Sequence, residues 1–452
     1  MYNDLERFIA FTEIDGFNQY RILTSNLYLD SDESYLLLEL CCYHGAVDCF
    51  KFLRTKFNSA ITQKCLEFSF LGGNPEIMSE CLKYQKPNKD CMKYAIISHN
   101  IDFVTFLMNE YNIEIKLDYC RKYYNLESLL VYFDQTNDIS KFFVYSLMFN
   151  ISSIFKYFFS HGANINEKDE DGNTALHIAA GFNWKELAEL LISHGANINE
   201  KTNDGETALH HAARNNSKDT AELLISHGAN TNEKNKYGLT ALHIATVYNS
   251  KETAELLISH GANINEKNCD GETALHIAAH FNWKEIAELL ISHGANNNEK
   301  NNYLNTALHI TIIYKSKETA ELLISHGANN NEKNKYGLTA LHIATVYNSK
   351  ETAELLISHG ANINEKNCDG ETALHIAAHF NWKEIAELLI SHGANNNEKN
   401  NYLNTALHIT IIYKSKETAE LLISHGANNN EKNKYGLTAL HILPLHHLYF
   451  ME

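Results

Sequence analysis

The sequence predicts an all-α protein: a solenoid of stacked helix-turn-helix units, preceded by a second, degenerate helical-repeat domain. Three observations predict it. The tetrapeptide Thr-Ala-Leu-His recurs nine times, from residues 174–177 to 438–441, at a constant step of 33 residues. Within each repeat the apolar residues fall at helical rather than alternating spacing. A chain of 452 residues with only 3 prolines is also longer than one compact core usually fills and poor in breakers.

The first domain is expected over residues 1–168. Its apolar segments Cys49–Leu53, Ile77-Met78, Phe103–Leu107 and Leu129–Phe133 each follow an acid, namely Asp48, Glu76, Asp102 and Glu127. Their spacings of 28, 26 and 25 suit helix pairs with shortened connections. Cys41, Cys49, Cys65, Cys81 and Cys91 lie in these patterns, where a reduced thiol acts as a small hydrophobe. Residues 138–168 already fit the 33-residue frame and join the two regions.

Eight complete units are expected over residues 169–432. In the first, Thr174 caps a helix carrying Leu176, Ile178, Ala179 and Ala180, and His177 returns a hydrogen bond toward the threonine as a capping-box residue does. Asn183 suits a left-handed turn, and a second helix buries Leu187, Ala188, Leu190, Leu191 and Ile192 before Gly195 ends it. Trp184, Trp283 and Trp382 are expected to pack at the start of that second helix, where Ser217 or Ser250 can cap it in other units. Neither helix buries its apolar face alone, so neighbouring units must stack.

The Asp/Asn-x-x-Gly turn, the Thr-x-Leu-His cap, the apolar second helix and the Gly-Ala-Asn-x-Asn loop together resemble the ankyrin repeat. The family's usual proline after the threonine is alanine here, as at Ala175 and Ala208. The resemblance implies β-turn fingers between units and a partner bound by the fingers and the inner face of the first helices. Residues 1–168 resemble the degenerate ankyrin-like domain of unknown function that precedes such arrays in large protist families.

A longer period overlies the short one. Residues 232–343 and 331–442 are identical at an offset of 99, so three units have been duplicated. In the fifth and eighth units Leu304 and Leu403 replace the turn glycine, and Lys315 and Lys414 replace the asparagine between helices, so both units are expected to be soft. Residues 433–452 form a truncated ninth repeat and an apolar tail, which is expected to self-associate or to fold over the eighth unit.

Composition narrows the function. The formal charge of −17 and the absence of a basic stripe exclude a nucleic-acid partner, and no apolar run suits a membrane span. The acidic start resembles no targeting signal, which places the chain in the cytoplasm, with a nuclear setting compatible. No cysteine pair has metal or redox spacing; Cys269 and Cys368 fall at loop tips. Eighteen of 25 histidines belong to repeated motifs, nine to Thr-Ala-Leu-His and nine to Ser-His-Gly-Ala, which returns at the same period from residues 160–163 to 424–427; they are read as structural, leaving His446-His447 a weak metal candidate. The recurring Glu-Lys pairs lie on solvated loops, where their pKa values have little cause to shift. No phosphate loop, nucleophile elbow or zinc-protease motif occurs, so no catalytic residue, cofactor or metal is assigned and the chain is read as a non-enzyme.

What varies on the constant frame is the informative part. One position reads Phe182, Asn215, Tyr248, Phe281, Tyr314, Tyr347, Phe380 and Tyr413 through the eight units, and the finger carries Tyr237, Tyr303, Tyr336 and Tyr402. Rigid aromatics dominate many protein interfaces. The eleven aromatics are therefore the candidate binding residues for a protein partner, on a stripe of ~80 Å at ~10 Å per unit. The alternative reading is a substrate-selecting adaptor of a ubiquitin-ligase-type complex.

Overall fold

The computed structural model of the chain describes residues 3–20, 22–23, 34–149 and 152–442. It divides into a first compact unit running to Ile178 and including His194–Ala196, and a second made of Ala179–Ser193 and the described residues from Asn197 on.

The first unit opens with α1 (Leu5–Thr12) and a two-residue antiparallel ladder, β1 (Ile22–Leu23) against β2 (Tyr35–Leu36), in which Ile22 faces Leu36. That ladder is absent from the sequence reading. Helix pairs follow: α2 (Leu37–Tyr43) with α3 (Val47–Phe57), α4 (Gln63–Gly72) with α5 (Pro75–Leu82), α6 (Lys89–Ile97) with α7 (Ile101–Tyr111), α8 (Leu117–Lys122) with α9 (Leu126–Thr136), and α10 (Ile139–Ser146) with α11 (Ser152–Ser160). The four acids singled out above sit in the first turns of α3, α5, α7 and α9, where the helix dipole favours negative charge. Asn74, Asn88, Asn100 and Asn125 cap helices with their side-chain oxygens. Phe68 is the hub of the core, its ring 5.0–5.3 Å from those of Tyr35, Tyr43 and Tyr94. Seven cysteines, the five named above with Cys42 and Cys120, are buried in this unit.

Helix α12 (Ala175–Gly181) crosses from the first unit into the second, and α13 (Lys185–Ser193) lies in the second. Regular pairs then repeat: α14 (Ala208–Arg214) and α15 (Lys218–Ser226), α16 (Ala241–Val247) and α17 (Lys251–Ser259), α18 (Ala274–Phe281) and α19 (Lys284–Ser292), α20 (Ala307–Ile313) and α21 (Lys317–Ser325), α22 (Ala340–Val346) and α23 (Lys350–Ser358), α24 (Ala373–Phe380) and α25 (Lys383–Ser391), and α26 (Ala406–Tyr413) and α27 (Lys416–Ser424). First helices pack on first helices and second on second. Alanines such as Ala245 and Ala278 are fully buried between them, and Leu257, Leu290 and Leu323 of the second helices expose no surface.

Three ladders tie the second unit together. In the first, His243 Nδ1 accepts from the Thr240 backbone N–H at 3.2 Å and meets its hydroxyl at 2.9 Å, while Nε2 faces the Glu272 carbonyl of the next repeat at 3.2 Å. A bare Nδ1 and a protonated Nε2 satisfy all three contacts, so the ring is neutral. The capping-box reading of the histidine therefore holds, and the same ring also staples one repeat to the next. Burial pushes His243, His276, His309, His342 and His375 down to about 4.

The second ladder corrects two expectations. Lys234 bonds Glu266 at 2.7 Å and Lys267 bonds Glu299 at 2.8 Å, each partner lying in the following repeat rather than beside the lysine in sequence. The same pairing runs from Lys201–Glu233 to Lys399–Glu431. The glutamates are accordingly held below the usual carboxylate range by their lysines, contrary to the solvated-loop reading.

The third ladder replaces the expected serine caps. Ser217 and Ser250 occupy the N-cap positions of α15 and α17 but make no side-chain capping bond. Instead they lie 3.4 Å from the Gly181 and Arg214 carbonyls of the preceding repeat. The orphan helix N–H goes to the preceding repeat's asparagine: Thr220 N–H donates to Asn183 Oδ1 at 3.0 Å and Thr253 N–H to Asn216 Oδ1 at 3.1 Å. The tail and His446-His447 lie outside the described residues.

Candidate protein-docking face

Each finger is closed by one side chain. Asn235 Oδ1 accepts from the N–H groups of Tyr237 at 2.9 Å and Leu239 at 3.0 Å, and Gly238 turns the chain at φ 73°. A Cβ on Gly238 would lie 2.8 Å from the Cys269 nitrogen, because consecutive fingertips are joined through their backbones. Tyr237 O accepts from Cys269 N–H at 3.1 Å, Asp270 O from Asn302 N–H at 3.0 Å, and Tyr303 O from Lys335 N–H at 3.0 Å. The fingertips thus form a hydrogen-bonded row with fixed register.

That row runs across helix pairs that repeat every 33 residues. Residues 57–132 match a domain of unknown function, DUF3447. Six overlapping matches to ankyrin repeats (3 copies) cover residues 143–433. The chain belongs to the ankyrin-repeat family. None of the curated proteins matches it. Ankyrin repeats are protein–protein interaction modules, and proteins built from them are typically non-enzymatic scaffolds.

On this ankyrin array the eleven candidate aromatics are all open to solvent, between 44 and 58% exposed. Tyr237, Tyr303, Tyr336 and Tyr402 sit on the fingertips. Tyr248, Tyr314 and Tyr347 are the C-caps of α16, α20 and α22, whereas Phe281, Phe380 and Tyr413 are the last residues of α18, α24 and α26. Phe182 follows α12. The second repeat interrupts the row with Asn215, whose Nδ2 donates to the His211 carbonyl.

The rings are held from behind. Trp184 stacks under Phe182 at a centroid distance of 4.8 Å, and Trp283 and Trp382 lie under Phe281 and Phe380 at 6.2 and 6.1 Å. The tryptophans therefore pack at the start of the second helix, as expected, and their rings also support the exposed phenylalanines.

Sequence reasoning missed the groups that hold the tyrosines. His280 stacks on Tyr314 at 3.8 Å, and His379 stacks on Tyr413 at the same distance. Lys335 Nζ lies 3.9 Å over the Tyr303 ring and 4.9 Å over Tyr336, and Arg214, bound to Glu206 at 2.7 Å, lies 5.4 Å over Tyr248. The signal was available as a spacing of 34 between His280 and Tyr314, but only stacked repeats give that number meaning.

The first unit has a different polar centre. Arg121 binds Asp169, Asp118 at 3.1 Å and Asp171 at 3.2 Å, and the Asp169 side chain is fully buried. Burial and a hydrogen bond with Glu170 push Asp118 up to about 6. The centre fixes the first finger against α8. Among the described residues no group of three or more histidine, cysteine, aspartate or glutamate side chains suits a metal ion, and no helix is long and apolar enough to cross a membrane.

Proposed function

We propose that the protein is a non-catalytic scaffold that docks a partner protein on the fingertip and helix-end aromatics of its ankyrin array. The observation that carries this is the pairing of exposure with rigidity: the eleven rings are about half exposed, yet each stands on a hydrogen-bonded finger or a helix terminus. Such side chains lose little conformational freedom on binding and bury large areas.

The test is proximity labelling with the intact chain, followed by capture of the labelled partner. A variant with Tyr248, Phe281, Tyr314, Tyr347, Phe380 and Tyr413 all changed to alanine should lose that partner while keeping its helicity and melting curve. Unchanged affinity in this variant would refute the assignment of the face.

A further inference from the structure

The third and sixth repeats, residues 235–267 and 334–366, have the same sequence but different neighbours. Before the third stands Asn216, whose Oδ1 accepts from the Thr253 N–H at 3.1 Å and whose Nδ2 reaches Glu252. Before the sixth stands Lys315, whose ammonium has donors only. The Thr352 N–H, equivalent to that of Thr253, receives no such cap among the described residues.

The difference falls on the second helix. Ser250, Thr253, Leu256 and Ile258 at the start and along α17 are buried, whereas their equivalents Ser349, Thr352, Leu355 and Ile357 on α23 are partly exposed. The Ser250 hydroxyl lies 3.4 Å from the Arg214 carbonyl of the preceding repeat, and Ser349 has no matching contact among the described residues. A groove of about 280 Å³ opens between α21 and α23, lined by Ala320, Glu321, Thr352 and Leu355 among others. Identical side chains pack differently here, so the cause lies in the fifth repeat.

The finger side of the same junction stays bonded. Tyr303 O accepts from Lys335 N–H at 3.0 Å, His309 Nε2 meets the Leu338 carbonyl at 3.2 Å, and Lys333 pairs with Glu365 at 2.8 Å. The loop after α21 is also tied, since Asn330 Nδ2 donates to the His359 carbonyl at 2.9 Å.

We infer that the array is hinged between its fifth and sixth repeats. The finger and loop row is the axis, and the N-terminal ends of α21 and α23 are the side that opens. Repeats two to five and six to eight then reorient as two blocks without breaking the fingertip row. The hinge does not depend on the docking face proposed above.

Spin-label distances on the full chain test it. In a Cys269→Ser/Cys368→Ser background, Lys284→Cys/Lys383→Cys carries labels at the starts of α19 and α25 and spans the junction. The control, Lys218→Cys/Lys317→Cys, carries them at the starts of α15 and α21. Each pair lies three repeats apart, ~30 Å at ~10 Å per stacked helix pair. Repeats three and four are identical to six and seven, so the two spans differ only in crossing the junction after Asn216 or the one after Lys315. The Lys284/Lys383 distribution should be the broader, and Lys315→Asn should narrow it to the width of the control. The second repeat also has Ala213 where the fifth has Ile312, so Asn216→Lys isolates the cap and should widen the control. In the parent chain, labels on the exposed Cys269 and Cys368 report the finger side of the same span and should give a narrow distribution. Equal widths in the two helix pairs, or no response to Lys315→Asn or to Asn216→Lys, would overturn the hinge. A fingertip distribution as broad as that of the second helices would overturn it too, because the row would then part with them.

Discussion

Asn282 Oδ1 accepts a hydrogen bond from the backbone N–H of Thr319, 3.2 Å away and one whole repeat further along the chain. Its Nδ2 reaches Glu318 in the same first turn of α21. A residue with left-handed backbone at φ 58° thus caps its neighbour's helix rather than its own. Asn381 does the same for Thr418 at 3.1 Å. The fifth repeat has Lys315 at this position, in the same left-handed conformation at φ 59°. Lys315→Asn should supply the missing cap to Thr352 at the start of α23 and add about 1 kcal/mol, while Asn282→Ala should cost about the same. Hydrogen exchange in residues 350–358 and 317–325 reads the two changes separately.

Leu304 and Leu403 keep the turn conformation of the glycines they replace, at φ 57° and 56°, and are nearly half exposed. A branched side chain in the left-handed region costs about 1–2 kcal/mol. Leu304→Gly should therefore slow exchange in residues 301–333 even though it removes apolar atoms. Exchange in those residues of the parent chain should be faster than in 268–300, and equal protection would refute the account.

Acidification should melt the array. A histidine whose folded pKa is lowered to about 4, against about 6.5 unfolded, takes up its proton more readily in the unfolded chain. The stabilisation is complete above about pH 6.5 and is lost as pH falls toward 4, at about 1.4 kcal/mol per pH unit for each such ring. The lysine-paired glutamates act in the same direction at lower pH, since their folded pKa values are depressed. Thermal melts from pH 7 to 4 should show a steep fall in Tm, and His276→Gln should make the fall shallower. A Tm independent of pH across that window would contradict the neutral ring.

Arg121 is the test of the first unit. It is the ion-pair partner of the fully buried Asp169, so Arg121→Met leaves that carboxylate in the core with only neutral donors such as the Asn173 N–H. The expected loss is about 3 kcal/mol, read as a lower urea midpoint for the transition assigned to residues 34–149. Double replacement of Arg121 by methionine and Asp169 by asparagine should recover part of it.

Buried leucines separate stability from surface. Leu257→Ala, Leu290→Ala and Leu323→Ala should each cost about 2–5 kcal/mol, because their side chains are fully enclosed. Tyr248→Ala, at a half-exposed helix cap, should change stability by no more than about 0.5 kcal/mol. Equal losses at the two positions would mean that the aromatic row belongs to the core.

The sequence by itself determined the repeat, its 33-residue period, both helices of each unit, the burial of Leu257 and its equivalents, and the exposure of the aromatic row. All of these follow from local rules: a threonine before an apolar run, helical spacing, and a glycine or asparagine where φ turns positive. The tertiary structure decided who bonds whom. Lys234 sits next to Glu233 in sequence but pairs with Glu266, Ser217 abandons its own helix end, and Asn183 caps a helix 37 residues away. Neighbours in a stack are separated by one period along the chain, and a pattern that repeats at every period does not reveal which copy is the partner. Only the packing of one repeat on the next brings those atoms within hydrogen-bond reach, and the same packing joins the fingertips that carry Tyr237 and Tyr303 into one hydrogen-bonded row.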